Sequence, residues 1–158
     1  MGFETKWRSW VKCCVEYVKF SVIINGSAAG YFKRNKGIRQ GDPLSSFLFL
    51  LVGKALSYMI KQTQDKGLIS GFQTVDGGKM VSHLQFADDT LIFIDASIEQ
   101  VQQPRLLRIS IELITGLKIN FAKSQIYGVG YEGDLHQFSS ILGCFSETLR
   151  TTFFGLPL

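Results

Sequence analysis

The sequence predicts an α+β domain in which helices pack on one face of an antiparallel sheet. Three long segments carry apolar residues at helical spacing, and the short segments between them alternate or run apolar and end at turn dipeptides. The predicted order is helix, hairpin, long helix, hairpin, helix and strand. With 158 residues, 46% of them hydrophobic, and no internal repeat, the chain is expected to form one folded domain over residues 1–158.

A helix and a hairpin are predicted at the N-terminal end. Residues 4–18 favour a helix because apolar residues recur every three or four positions. These residues are Trp7, Trp10, Val11, Cys14, Val15 and Val18. The segment FSVIING then predicts a strand that closes on the turn dipeptide Asn25-Gly26, and YFKRNKG is the returning strand.

A long helix is predicted from residue 43 to about residue 64. Asp42 and Pro43 have the order of an N-cap and a first helical residue, and KGLISG ends the pattern. The width of the apolar arc indicates burial on more than one side. The residues expected to be buried are Leu44, Phe47, Leu48, Leu51, Ala55, Leu56 and Met59.

The remaining elements follow a second hairpin. Residues 80–86 and 90–95 predict two strands that flank Asp88-Asp89, and residues 97–115 predict a helix. Pro104 must start or bend that helix, because proline lacks an N–H donor and clashes with the preceding turn. The helix face is expected to carry Leu106, Ile109 and Leu113. A strand and loop, a short helix over 132–143 and the strand-like TTFFGLPL complete the chain.

Composition excludes several classes of protein. The longest apolar run, FLFLLV at 47–52, is far shorter than the roughly 20 residues that span a bilayer, so we expect no membrane partner and an intracellular chain. Cys13, Cys14 and Cys144 have no CxxC spacing and are expected to be buried free thiols. The net charge of +4 mildly favours a polyanionic partner.

Asp88 and Asp89 have two interpretations from the residues alone. Aspartate is favoured in tight turns, so the pair could be the solvated end of a hairpin. Adjacent carboxylates on a rigid hairpin also suit Mg²⁺, and two such ions can assist phosphoryl transfer. An aspartic protease is excluded, because Leu91 follows Asp89-Thr90 where that signature requires glycine.

Four segments resemble one known family when they are taken together and in order. They are KGIRQGDPLSSFLFLL at 36–51, LQFADDTLIF at 84–93, GLKINFAKS at 116–124 and FFGLPL at 153–158. This set resembles the palm of a reverse transcriptase from non-LTR, LINE-type retrotransposons of the plant form, and the resemblance covers essentially the whole chain. It implies an RNA-directed DNA polymerase that extends a DNA primer on an RNA template with deoxynucleoside triphosphates.

The resemblance implies roles for the hairpin and for one lysine. Asp88 and Asp89 would be catalytic carboxylates that hold two Mg²⁺ ions, and Phe86 replaces the tyrosine of many reverse transcriptases. Lys123 would lie near the triphosphate and protonate the departing pyrophosphate. A solvated surface lysine is an equal alternative for Lys123.

The resemblance also implies that the segment from Arg39 to Pro43 lies along the incoming nucleotide and the template–primer pair. Arg39 can meet phosphate, Gln40 can hydrogen-bond base or sugar, and Gly41 permits close backbone approach, with Asp42 and Pro43 following. A basic cluster beside this segment favours nucleic-acid contact over an ordinary solvated turn. Its residues are Lys33, Arg34, Lys36 and Arg39, with Tyr31 and Phe32 among them.

The third carboxylate of a two-metal site is missing from the pattern. The family carries that aspartate in a DxxKAFD-type motif, whereas no aspartate precedes Asp42 here. We therefore expect a partial reverse transcriptase domain, without the first catalytic strand, most of the fingers and the thumb, that does not polymerise alone. The alternatives are a non-catalytic remnant that at most binds nucleic acid weakly, and an unrelated α+β domain.

Overall fold

The computed structural model describes residues 2–33, 41–73, 77–147, 152–153 and 156–157. Its helices are α1 (Thr5–Glu16), α2 (Pro43–Asp65), α3 (Ile98–Thr115) and α4 (His136–Leu142), with a short 3-10 helix at Phe121–Lys123. Its strands are β1 (Lys19–Ile24), β2 (Ser27–Lys33), β3 (Phe72–Gln73), β4 (Met80–Val81), β5 (His83–Phe86), β6 (Asp89–Ile92), β7 (Gln125–Tyr127), β8 (Phe145–Glu147), β9 (Thr152–Phe153) and β10 (Leu156–Pro157). The predicted α+β class is confirmed.

The described strands pair two by two. Strands β1–β2, β3–β4, β5–β6 and β9–β10 form antiparallel ladders, whereas β7 and β8 pair in parallel. Ser82 interrupts the strand that was predicted over 80–86. The Ser82 carbonyl still accepts a hydrogen bond from the Phe93 N–H at 2.9 Å, which extends the pairing of the second hairpin by one step. Strands β4 and β5 therefore follow each other with only Ser82 between them.

The chain forms two compact units, Met1–Phe49 and Leu50–Leu158. In the first unit Trp7 stacks on Phe3 with ring centroids 4.1 Å apart and meets Phe47 edge-on at 6.5 Å. Helix α1 buries no residue, so Cys13 and Cys14 are exposed. The expected burial of these two thiols is therefore wrong, because the apolar stripe of α1 is only partly covered.

The second unit has a small apolar core between α2 and α3. Ile60, Ile69 and Leu107 are buried together, at 0%, 1% and 7% exposure. The partly buried residues packed against them are Leu56, Met59, Ile92 and Ile94. Leu56 and Met59 were predicted on the buried face of α2, whereas Ile60, the most completely buried residue of that helix, was not.

Helix α3 begins as its sequence indicates. The Ser97 side chain accepts a hydrogen bond from the Gln100 N–H at 3.3 Å, and Gly116 ends the helix with a left-handed φ of +72°. Pro104 lies inside the helix and does not start it.

The buried face of α3 differs from the prediction. Val101, Leu107 and Ile111 are buried, whereas Leu106, Ile109 and Leu113 are exposed, Leu113 to 81%. Apolar residues occur around most of this helix, so spacing alone offers more than one candidate face. Packing of Leu107 against Ile60 decides which face is covered.

Helix α2 is long and apolar enough, by length and composition, to cross a membrane. The sequence-based expectation that no segment is long enough to span a bilayer is therefore wrong. It considered only uninterrupted apolar runs, whereas α2 contains a few polar residues. A mostly buried core helix passes the same test, but Ile60 is the one buried residue of α2, and 6% of the candidate span is buried.

Candidate catalytic hairpin

Strands β5 and β6 form a hairpin with a two-residue turn. The register pairs His83 with Ile92 and closes at Phe86 opposite Asp89, so Ala87 and Asp88 are the turn residues. Ala87 has a left-handed φ of +49°. The predicted turn is therefore displaced by one residue, because the ladder continues to Asp89 and leaves only one of the two aspartates in the turn.

The two faces of this hairpin differ, because side chains alternate along each strand. One face carries His83, Gln85, Thr90 and Ile92, and it packs toward α2 through Ser57 and the apolar core. The other face carries Leu84, Phe86, Asp89 and Leu91, of which Leu84 and Phe86 are 44% and 56% exposed. Asp89 thus lies on the open face of the hairpin.

A polar network joins the packed face to α2. The Ser57 hydroxyl donates to Gln85 Oε1 at 2.9 Å, and its oxygen lies 2.9 Å from His83 Nε2. Because the Ser57 proton is used for Gln85, Nε2–H must be the donor to Ser57. His83 Nδ1 is then the acceptor for the Ser82 hydroxyl at 3.0 Å. Burial lowers the pKa of His83, which favours this neutral form.

Asp88 and Asp89 are exposed at the end of this anchored hairpin. Within the described residues neither carboxylate accepts a hydrogen bond or pairs with a cation. Their oxygens are available, and carboxylate oxygens are the ligands that hard divalent cations prefer. In the same described ranges no three or more His, Cys, Asp or Glu side chains come together as a metal site. The hairpin accordingly offers two carboxylates, which fit part of a Mg²⁺ site.

The start of α2 is built by Gly41, Asp42 and Pro43. Gly41 has a φ of +82°, a conformation that favours glycine. Asp42 Oδ1 accepts from the Leu44 N–H at 2.8 Å, and Pro43 is the first helical residue. The predicted N-cap is confirmed, so the Asp42 carboxylate holds the helix terminus. Contact of these three residues with substrate stays a prediction.

The other residues predicted along the nucleotide, Arg39 and Gln40, lie outside the described residues. Arg34 and Lys36 of the basic cluster lie outside them as well. Their roles stay predictions that rest on the sequence resemblance.

Lys123 is the last residue of the short 3-10 helix. Asn120 begins this turn by accepting a hydrogen bond from the Ala122 N–H at 3.1 Å, and the Arg108 guanidinium lies 4.4 Å from the centre of the Phe121 ring. The Lys123 side chain is exposed and, in the part of the chain that the structure describes, forms no ion pair with a carboxylate. Both interpretations of Lys123 stay open.

The sequence prediction missed the residues that anchor the hairpin. His83 and Gln85 alternate on the strand, which is a signal for one shared face. Nothing in the sequence identifies Ser57, on a helix 26 residues before His83, as their common partner. Ser57 lies three residues before Ile60, on the same side of α2, and this helical spacing is the one hint that the sequence offers.

One family model matches nearly the whole chain. A family model described as reverse transcriptase (RNA-dependent DNA polymerase) matches residues 1–157. The chain is also similar to an uncharacterized mitochondrial protein of Arabidopsis thaliana, with 33% identity over 117 residues, which is 74% of this chain and 93% of that protein. The family match includes the hairpin, the start of α2 and Lys123.

Proposed function

Because this chain belongs to the reverse transcriptase family, we propose that its β5–β6 hairpin holds the Mg²⁺ ions of a non-LTR, LINE-type RNA-directed DNA polymerase. The observation that carries the proposal is the pair of exposed carboxylates, Asp88 and Asp89, on a hairpin fixed to α2. When bound, two Mg²⁺ ions would activate the attacking primer hydroxyl and stabilise the departing phosphate.

The residues of this chain act mainly by positioning. Asp89 belongs to a hydrogen-bonded ladder, and His83 and Gln85 tie that ladder to Ser57. A fixed ladder holds the carboxylate where a cation can meet it without reorganisation, which is the main requirement of electrostatic catalysis. The packed network therefore supports the open, acidic end of the same hairpin.

The proposed substrates are an RNA template, a DNA primer and deoxynucleoside triphosphates. In this proposal Arg39 meets phosphate and Gln40 meets base or sugar, while the Asp42 cap fixes the start of the following helix. Lys123 protonates the departing pyrophosphate. The alternative of a surface lysine predicts that Lys123→Gln leaves catalysis unchanged.

Metal binding tests the proposal directly. Mn²⁺ replaces Mg²⁺ at oxygen sites and is detected by electron paramagnetic resonance as loss of the free-ion signal. Asp88→Asn and Asp89→Asn should each weaken binding at least roughly tenfold, because each removes an anionic ligand. Asp65→Asn, which alters an exposed aspartate at the end of α2, is the charge-matched control. Equal Mn²⁺ binding by all four proteins would remove the basis of the proposal.

A second candidate function is nucleic-acid binding without catalysis. It is favoured by the absence of a cluster of three acidic or other ligating side chains within the described residues. Primer extension on an RNA template with Mg²⁺ separates the two functions. We expect no extension by the 158-residue chain alone, and extension when a polypeptide that carries the family's aspartate strand is added. Extension by the chain alone that Asp88→Asn abolishes would contradict this expectation, and no extension with the added strand would favour binding only.

A further inference from the structure

The β1–β2 hairpin has one basic face. The sequence placed Lys33 and Tyr31 in a basic cluster expected to contact nucleic acid, and the strand register adds Lys19 to them. Its register pairs Lys19 with Lys33 and Phe20 with Phe32 near the open end, and Ile24 with Ser27 at the turn. Lys19 and Lys33 are both exposed, and within the described residues neither pairs with a carboxylate. Like charges directly opposite each other destabilise a ladder. An anion held between the two ammonium groups would reverse that repulsion.

A β-bulge places an aromatic ring next to this lysine pair. The register shifts by one residue between Phe20 and Val22, so Gly30 and Tyr31 together stand opposite Ser21. Gly30 has a φ of +65°, as the first residue of a glycine bulge requires. Bulges redirect side chains, and Tyr31 is 78% exposed. The ring is thus presented to solvent and contributes little to packing.

The face that carries Tyr31 also carries both lysines. Tyr31 and Lys33 are two residues apart on β2, and Lys19 is directly opposite Lys33. The other face carries Phe20 and Phe32, whose ring centroids are 6.0 Å apart, so the aromatic packing of the hairpin lies on that side. An exposed ring beside two cations matches the chemistry of a nucleic-acid strand, in which flat bases alternate with phosphates.

We propose that the face formed by Lys19, Tyr31 and Lys33, here called the Tyr31 face, binds single-stranded RNA. One phosphate lies between the two lysines, and an adjacent base stacks on the tyrosine ring. This inference deepens the proposed function and rests on it, since it adds a strand-binding contact outside the metal-binding hairpin.

Fluorescence anisotropy with a labelled single-stranded RNA tests the Tyr31 face, in EDTA so that no metal contributes. Lys33→Glu should weaken binding at least roughly tenfold and reduce the slope of log K against log salt concentration by about 1. Tyr31→Ala should weaken binding roughly tenfold, whereas Tyr31→Phe should retain it, because phenylalanine keeps a stacking ring. Lys61→Glu, which makes the same charge change on an exposed position of α2, should have less than about a twofold effect.

The Lys33→Glu variant also guards against loss of binding through misfolding. A carboxylate opposite Lys19 replaces a repulsive cross-strand pair with an attractive one, so the thermal transition should not fall. Equal RNA affinity of Lys33→Glu, Tyr31→Ala and Lys61→Glu would overturn the inference, as would failure of the wild-type chain to bind RNA.

The same assay separates this inference from the proposed function. Asp88→Asn and Asp89→Asn should bind RNA in EDTA as the wild type does, because the metal site does not contribute there. Equal Mn²⁺ binding by the wild type and the Asp88→Asn and Asp89→Asn variants would contradict the metal site. If RNA binding still depended on Tyr31 in that case, the Tyr31 face would stand. If the aspartate variants weakened Mn²⁺ binding as expected but Lys33→Glu left the RNA affinity unchanged, the metal site would stand and the Tyr31 face would be contradicted.

Discussion

The β1–β2 and β5–β6 hairpins use the same two-residue connection with different chemistry. Asn25 and Gly26 have φ values of +50° and +82°, and both residue types tolerate this left-handed region. In β5–β6 the left-handed residue is Ala87, whose Cβ makes that conformation less favourable by roughly 1–2 kcal/mol. Backbone strain of this kind concentrates at functional sites. The difference indicates that the second turn, which contains Asp88 of the acidic pair, is held by its surroundings.

The surroundings of the two hairpins explain how the strain is tolerated. Strand β2 is exposed along its whole length, so the first hairpin depends on its own turn and register. The second hairpin packs one face on α2, through His83, Gln85 and Ile92. Tertiary contacts therefore determine the second turn, whereas local turn chemistry determines the first.

The largest expected effect comes from removing the core beneath the second hairpin. Ile60→Ala creates a cavity beside Leu107 and should lower the free energy of unfolding by about 3 kcal/mol. Leu50→Ala, on the same helix but at a position that is 70% exposed, is the control and should cost less than about 1 kcal/mol. Urea denaturation followed by circular dichroism measures both. Similar losses for the two variants would show that Ile60 is not a core residue.

Breaking the polar anchor should have the next largest effect. Ser57→Ala removes the acceptor of His83 and the donor to Gln85, and leaves the partly buried His83 Nε2–H without a partner, whereas Gln85 is exposed and can bond to water. The expected loss is about 1.5 kcal/mol, measured by the same denaturation. Ser140→Ala, which removes a hydroxyl bonded only within α4, is the comparison variant and should cost clearly less. A neutral Ser57→Ala would mean that the network does not hold the hairpin.

Exchanging the turn residues should give effects of opposite sign. Gly26→Ala forces a Cβ into a left-handed conformation and should destabilise the chain by about 1 kcal/mol. Ala87→Gly removes the same penalty and should stabilise it by about 0.5 kcal/mol or more, because the entropy of glycine in the unfolded chain offsets part of the gain. Thermal unfolding of both variants in parallel gives the signs. Destabilisation by Ala87→Gly would show that Ala87 is not strained.

The smallest expected effect is a pH dependence that belongs to the second hairpin. Burial lowers the pKa of His83, so the unfolded chain binds the proton more readily than the folded one. Stability from this residue is complete above about pH 6.5, the ordinary histidine pKa, and is lost as the pH falls toward the lower folded value. His83→Gln should flatten the stability profile below pH 6.5 more than His136→Gln does. Equal profiles would argue against the neutral His83 network.

The elements with strong local signals were predicted well. Helix α2 was expected over 43–64 and spans Pro43–Asp65, because Asp42 and Pro43 specify its start and its apolar pattern is long. The Asn25-Gly26 turn was also predicted correctly, since few other dipeptides suit two consecutive left-handed residues. In both cases a few adjacent residues contain the physical cause.

Features that depend on distant partners were predicted less well. The buried face of α3 was misassigned, because only Ile60 and Ile69 of other segments reveal that Leu107 is covered. The turn of the second hairpin was displaced by one residue, because register is set by packing on α2 and not by the Asp-Asp dipeptide. The strand pattern on both sides of Asp88-Asp89 predicted their hairpin correctly, and the anchoring Ser57 became visible only in the fold.

The unequal placement of the two aspartates has a consequence for how a cation would be recognised. Asp89 is fixed by its ladder opposite Phe86, whereas Asp88 occupies a turn position next to a left-handed alanine. A cation would therefore meet one ligand with a preset position and one that can adjust. In the proposed metal site, such a division would let the hairpin accept ions of different radius, because the turn carboxylate could adjust while the ladder carboxylate keeps its position.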